Sequence, residues 1–225
     1  MSSFLSHLSI PNFFNAPLAF SSIPKIMTGF PVSIGLTIIS FILALILGLF
    51  LTLAQMSHFR LLHWAARAFI SFMRGVPMLV ILFVVYFGFS ASALPAAVIS
   101  FTLNCSAFVS EVFRSSFLAV DKGQWEAAYS LGLPYSKVVR KIVFPQAFRI
   151  SIPALGNILL DLFKGTSLAA MITVSEMFMQ AQIVAGANQD YMTIYIMIAI
   201  IYWFFCWLLT IGQTSLEHHL AIPEN

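Results

Sequence analysis

Apolar residues run through this chain in blocks too long and too unbroken to be the single faces of soluble helices. From Pro31 to Met56 there is no charged side chain, and about 20 apolar residues suffice for a helix that crosses a bilayer. A second block extends from about Ala68 to Ser90, interrupted near its start by Arg74-Gly75-Val76-Pro77. A third runs from about Leu94 to Val120, with Glu111 and Arg114 towards its end. The fourth begins near Ile150, passes through Pro153 and ends about Val174, carrying Asp161 and Lys164. A fifth, from Tyr191 to about Gly212, is uncharged and holds Trp203 and Trp207. The pattern predicts an all-α integral membrane protein with about five transmembrane helices.

The polar remainder divides the chain into an N-terminal segment (1–30), a membrane domain (31–215) with one long polar insertion (about 121–149), and a short tail (216–225). The N-terminal segment lacks the basic start and small-residue cleavage site of a signal peptide. Its Phe4, Leu5, Leu8, Phe13 and Phe14, broken by Pro11, read as a stretch lying outside or on the outer interface.

Composition agrees: of 225 residues, 60% are hydrophobic and only 8% charged, against about 25% charged in an ordinary soluble domain. The net charge of +3 does not point to nucleic acid, because the basic residues form no stripe that could follow a phosphate backbone. They mark sidedness instead. Arg60 and Arg67 lie between the first two blocks, and Lys122, Lys137, Arg140 and Lys141 lie between the third and fourth, flanked by Arg114 and Arg149. The opposite side has only Lys25. Lys and Arg accumulate on the cytoplasmic side, so the N-terminus is expected outside, the long polar insertion inside and the C-terminus inside. Cys105 and Cys206 sit far apart in apolar runs and read as small buried hydrophobes.

The insertion reads as two short helices. Asp121 is placed to cap the first, Gly132 to make the left-handed turn that ends it, and Pro134 to open the second. A helical hairpin held between two membrane spans suggests a docking surface for another protein; a solvated linker is the plainer alternative. The spacing Glu126-Ala127-Ala128, three residues, Gly132, nine residues, Ile142, one residue, Phe144-Pro145 resembles the signature loop of bacterial binding-protein-dependent ABC importer permeases. Phe144 stands where that family usually has Leu. Arg74-Gly75-Val76-Pro77 resembles the Arg-Gly-Thr-Pro of polar amino acid permeases. The run from Ala107 to Arg114 is similar to their Ala-Tyr-x-Ala-Glu-x-x-Arg, with Phe108 for Tyr. Pro145 to Arg149, Ile152 to Asn157 and Lys164 to Leu168 continue the likeness, with Gly165 in place of the usual Asp. Among subfamilies, the stretches 95–104 and 148–153 look most like cystine permeases.

The resemblance implies a type I ABC importer permease fold in a bacterial inner membrane. It also implies a transport subunit that is not an enzyme and has no cofactor of its own. No Gly-x-x-x-x-Gly-Lys-Ser/Thr loop occurs in the sequence, so ATP and Mg²⁺ are expected on a partner ATPase. Further expected partners are an extracytoplasmic solute-binding protein and a second permease, identical or sister. The short helix of Gln124, Glu126, Ala127, Ala128, Leu131 and Gly132 is expected to dock on the ATPase.

Charges within spans are costly, about 2.5–3.5 kcal/mol each at mid-bilayer on insertion scales. Asp161 and Lys164, at i and i+3, share a helix face. One reading pairs them with each other, or with Arg74 or Glu111, to hold the bundle. The other has Asp161 contact the ammonium of an amino acid substrate, Lys164 or Arg74 its carboxylate, with Thr166 and Ser167 alongside. Glu111 and Arg114 are a gate or, as the preferred reading, a snorkelling interfacial pair. Glu176 is expected at a solvated outer end, and Met177-Phe178-Met179 is expected to pack on the bundle or lie at the interface. His58, His63, His218 and His219 lack zinc-site spacing. An ion-coupled secondary transporter, with Asp161 and Lys164 as coupling site, is the alternative from a different class.

Overall fold

The computed structural model describes residues 14–220, with side chains to 217. The elements are α1 (Ala16–Met27), α2 (Phe30–Gln55), α3 (Arg60–Gly75), α4 (Met78–Gly88), α5 (Ala93–Ala119), α6 (Lys122–Ser130), α7 (Tyr135–Val138), a π-helical turn (Val139–Val143), α8 (Phe144–Gly165), a 3₁₀ stretch (Thr166–Ile172), α9 (Met177–Asn188) and α10 (Tyr191–Leu220). Among the described residues four helical segments are long and apolar enough to span a bilayer, and a fifth crossing is reached if the bent pair α3–α4 is one span.

Small and hydroxylated residues hold the spans together, while large aliphatic ones face outwards. On α2 the buried residues are Ser33, Leu36, Thr37, Ser40, Ala44, Gly48, Thr52 and Gln55, recurring every three or four positions along one face. Ile39, Ile42, Ile46, Phe50 and Leu53 on the other face are exposed, as suits a surface solvated by lipid. The small face packs along α5. A Cβ at Gly48 would come within 2.6 Å of the Val109 side chain, so glycine is what permits this approach, the usual basis of close helix packing in lipid. Below it, Thr52 Oγ1 donates to the Ser110 carbonyl (3.1 Å) and Gln55 Nε2 to Ser110 Oγ (2.9 Å).

The expected second span, Ala68 to Ser90, is corrected. Its helix begins at Arg60, stops at Gly75 and resumes at Met78, with a bend of 107° between the two parts. The cause is Pro77, which has no N–H to give the Met73 carbonyl and disfavours helix at the residue before it. Eleven residues of α4 reach only about 16 Å, so α4 cannot cross alone. Helix α3, roughly at right angles to it, is apolar on one side and basic on the other.

The N-terminal segment also differs from expectation. Its α1 is built into the bundle, with Ala19 and Ile26 fully buried against α9 and α10. The Asn15 N–H donates to Thr193 Oγ1 (3.0 Å). Phe4, Leu5, Leu8 and Phe13 lie outside the described residues, as do the side chains of His218 and His219.

Glu176 is not at a solvated end. It is fully buried and caps α9 by accepting from the N–H groups of Phe178 and Met179, both at 2.8 Å. The same carboxylate accepts from Tyr202 Oη (3.1 Å) and Ser33 Oγ (3.3 Å), and the Met177 N–H donates to Ser33 Oγ (3.2 Å). One carboxylate thus ties α2, α9 and α10 at the outer end. A Cβ at Gly29 would run into the backbone of Glu176 and Met177, so the turn into α2 also lies flush against this cap. Met177 packs in the bundle, fully buried.

Candidate functional site

The polar insertion folds as the sequence implies. The Asp121 side chain accepts from the Gly123 N–H at 2.7 Å, capping α6. Gly132 has φ +69°, with its N–H on the Tyr129 carbonyl (2.9 Å) and the Leu133 N–H on Ala128 (3.3 Å). From Tyr135 the chain is helical without a break to Ile172, so the loop is the foot of the fourth span. Gln146 links the two, donating to the Ile142 carbonyl (3.0 Å) and to Gln124 Oε1 (3.4 Å).

The Ala127-Ala128 pair divides. Ala128 is 2% exposed and packs with Val120, Val138, Val143 and Ala147 in the loop's own core, so it is removed from the expected docking face. Gln124, Glu126, Ala127, Leu131 and Gly132 are exposed. Tyr129 and Tyr135, which sequence reasoning did not single out, join them. Tyr135 stacks on Trp125 at 6.2 Å with 28° between ring planes. The i+4 spacing of Tyr129 from Trp125 was visible, but Tyr135 lies beyond the Gly132 turn and its stacking on Trp125 was not.

Within the bundle, α4, α5 and α8 enclose a cavity of about 220 Å³ lined by Met78, Asn104, Cys105, Phe108, Ile158, Asp161 and Leu162. Of the five residues expected at a substrate, Asp161 alone lines it. Asp161 Oδ1 pairs with Lys164 Nζ at 2.7 Å, and both side chains are more than half exposed, 75% and 55%. Thr166 is fully buried and donates to the Phe163 carbonyl (2.7 Å), while Ser167 donates to the Lys164 carbonyl (2.8 Å). These hydroxyls serve the end of α8 and lie off the cavity's lining.

Of the lining residues that were missed, two make specific contacts. Asn104 Nδ2 donates to the Met73 carbonyl at 2.9 Å, the group that Pro77 leaves without its helical donor. The break itself announced an orphan carbonyl, but nothing in the sequence named its partner. Phe108 carries the Arg74 guanidinium, 5.6 Å from its ring centroid, within reach of a cation–π contact. Arg74 itself lines a second, larger cavity of about 540 Å³ between α2, α3 and α5. Glu111 and Arg114 border that cavity as an ion pair (2.8 Å, with Arg114 Nε also 3.1 Å from the same oxygen). Among the described residues no three His, Cys, Asp or Glu side chains are placed to hold a metal ion.

A continuous path therefore links an exposed cytoplasmic helix to a charged, cavity-lining residue in the membrane. Comparisons with known proteins agree with this layout. Residues 44–222 match the model of the binding-protein-dependent transport system inner membrane component family. The chain is 48% identical over 213 residues to the probable amino-acid ABC transporter permease protein YckA of Bacillus subtilis, covering 92% of this chain and 94% of that one. It is 44% identical to the L-cystine transport system permease protein TcyB of the same organism, covering 88% and 87%. Its fold superposes on a crystal structure of an amino acid ABC transporter with TM-score 0.85 and 30% identity, covering 89% and 96%. The MetNI methionine ABC transporter in an inward-facing conformation shares the fold, at TM-score 0.70 and 15% identity over 93% of this chain and all of that one. The chain belongs to the binding-protein-dependent transport system inner membrane components: it is a bacterial inner-membrane permease subunit of an ABC transporter, not an enzyme.

Proposed function

We propose that this permease passes an amino acid inwards by alternating access, driven by a separate ATPase that docks on α6, with cystine the first substrate to test. The observation that carries this reading is the exposed Asp161–Lys164 pair beside the 220 Å³ cavity. Asp161 lies eleven residues beyond Ile150, roughly 16 Å along a helix and so about midway through a core of about 30 Å. Charges so exposed at that depth do not face lipid without large cost. They call for an aqueous path, and for a second permease copy or sister chain to close it.

In that setting Asp161 takes the substrate's ammonium group and Lys164 a carboxylate, while Arg74 lies in the other cavity. Each would exchange an internal partner for the substrate, so the charges stay compensated whether or not it is bound. Phe108 and Asn104 shape the pocket. The exposed patch of Glu126, Ala127, Tyr129 and Leu131 seats on the ATPase, and the unbroken helix from Tyr135 to Ile172 carries its rigid-body movement to the cavity. An extracytoplasmic binding protein would deliver the substrate to the outer end. Relatives named for amino acid and for L-cystine transport at 48% and 44% identity support the substrate class; others are named for arginine and, as a probable assignment, glutamine, at 35% and 32%, which is why the amino acid itself has to be measured.

The test is uptake into liposomes by the chain with and without its co-expressed ATPase and binding protein, at fixed ion gradients. Uptake of labelled cystine that requires ATP and the ATPase supports the reading. Uptake by the chain alone that collapses with a proton or sodium gradient would establish an ion-coupled secondary transporter instead.

A further inference from the structure

The 540 Å³ cavity at the elbow of α3 lies on the cytoplasmic side of Phe108 and is chemically unlike the one beside Asp161. Three guanidinium groups, Arg67, Arg74 and Arg114, line it against a single carboxylate, Glu111. That carboxylate is already held by Arg114. Arg67 and Arg74 have no carboxylate partner among the described residues; each instead lies over an aromatic ring, Arg67 over Trp64 (5.9 Å) and Arg74 over Phe108 (5.6 Å). His63, also in the lining, sets its Nδ1 2.6 Å from the Gln55 carbonyl. A carbonyl only accepts, so Nδ1 carries the proton. The cavity thus has an excess of fixed cations and donors, and its volume lies in the range of small-ligand sites.

Its position says what kind of anion it meets. Helix α3 stands at 107° to α4 at the end of the bundle where the Lys and Arg residues collect. Leu61, Trp64 and Phe72 are 72%, 65% and 60% exposed, on the same helix as Arg60, Arg67 and Arg74. An amphipathic helix with Trp, Leu and Phe on one side and Arg on the other lies in the plane of the interface and is drawn to anionic lipid. Arg67 belongs to both features, since it lines the cavity while its guanidinium rests on exposed Trp64. The cationic lining therefore continues into the face that meets the headgroups.

We infer that this cavity holds the phosphodiester headgroup of an anionic lipid from the cytoplasmic leaflet, gripped by Arg67 and Arg74 with Ser71 alongside. Guanidinium groups suit phosphate because their donors match its oxygens in pairs. The site is separate from substrate binding at Asp161 and from docking at α6.

The test uses the transporter purified with its co-expressed partners, in nanodiscs of phosphatidylcholine containing a third phosphatidylglycerol, with retained lipid counted by native mass spectrometry after mild extraction. The expected result is selective retention of phosphatidylglycerol, reduced about tenfold by Arg67→Gln through loss of charge-assisted hydrogen bonds. Ser71→Phe should reduce it comparably, by filling the cavity with no change in charge. Arg60→Gln, on the same helix but off the cavity, should leave it unchanged. Co-elution of each variant with its partners shows that it has folded. Equal retention by wild type, Arg67→Gln and Ser71→Phe overturns the proposal. So does an equal loss in Arg60→Gln, which would mean diffuse surface attraction. Saturable binding of inorganic phosphate that Arg67→Gln abolishes, with no selective retention of phosphatidylglycerol, would assign the cavity to a free anion and overturn the lipid.

Discussion

The Arg74 guanidinium rests on the Phe108 ring, 5.6 Å from its centroid, and the two side chains belong to different cavities. Phe108 lines the smaller one beside Asp161, and Arg74 the larger one towards the cytoplasm. The pair stands as a partition on the way from the membrane midplane to the inside. Under the proposed alternating access such a partition would open in every cycle and should be held by a contact of moderate strength, and cation–π contacts contribute about 0.5–2 kcal/mol. Phe108→Leu keeps apolar bulk but removes the ring, so it is expected to raise ATP hydrolysis in the absence of substrate severalfold while lowering the uptake achieved per ATP. The ratio of uptake to hydrolysis in proteoliposomes measures this, and an unaltered ratio would mean that the partition has no part in coupling.

Gly132 adopts φ +69° with open space around its missing Cβ. An added methyl therefore meets no neighbour, and Gly132→Ala carries only the backbone cost of the left-handed conformation, about 1 kcal/mol. Gly132→Asp adds a charge next to the exposed Leu131. The alanine variant should keep most substrate-stimulated ATP hydrolysis. The aspartate variant should lose it while still inserting in the membrane, as judged by its level in the membrane fraction. Normal stimulation in Gly132→Asp would mean that the ATPase docks elsewhere.

Glu176 accepts four hydrogen bonds in a fully buried place. Removing the carboxylate leaves Tyr202, Ser33 and two backbone N–H groups with donors to satisfy, each unsatisfied buried group costing about 1–3 kcal/mol. Glu176→Ala is expected to lower the melting temperature of the detergent-purified protein by about 10 °C. Glu176→Gln, which keeps one acceptor oxygen, should lower it by about half as much. If both variants melt with the wild type, this carboxylate does not hold α2, α9 and α10 together.

The elements that were legible in the sequence are those whose cause is local. The spans follow from uninterrupted apolar runs, and the α6 hairpin from the order Asp121, Gly132, Pro134. What was not legible depends on contacts between distant segments. Glu176, twelve residues from the nearest other acid or base in the sequence, Lys164, looked like an end residue because the partners of its carboxylate, Ser33 and Tyr202, are 143 and 26 residues away. Asn104 was unremarkable until Pro77 left the Met73 carbonyl free 31 residues earlier. Ala127 and Ala128 share a motif, yet helix geometry sends one outwards and the other into the loop's core. The interruption at Arg74-Gly75-Val76-Pro77 was visible, yet the block still read as one span because Phe72, Met73, Val76 and Met78 flank the break; hydropathy registers composition, while the bend is a matter of one missing N–H.

Asp161 bears on the proposed substrate path most directly. It lines the smaller cavity and is paired at 2.7 Å with Lys164, and both remain solvent-exposed in the isolated chain. An exposed pair at i, i+3 contributes at most a few tenths of a kcal/mol to helix stability, so Asp161→Asn should fold and assemble as the wild type does. If the carboxylate serves the bundle alone, uptake should then be nearly unchanged. If it receives the substrate's ammonium group, the neutral amide loses a charge-assisted hydrogen bond, and the apparent KM for uptake should rise about tenfold or more with basal ATP hydrolysis unaltered. Lys164→Gln breaks the same internal pair but leaves the acid: the KM for the amino acid should rise through loss of the carboxylate's partner, while affinity for an amine analogue without a carboxylate should be kept or improved. An unchanged KM in both variants would leave the pair a structural part only.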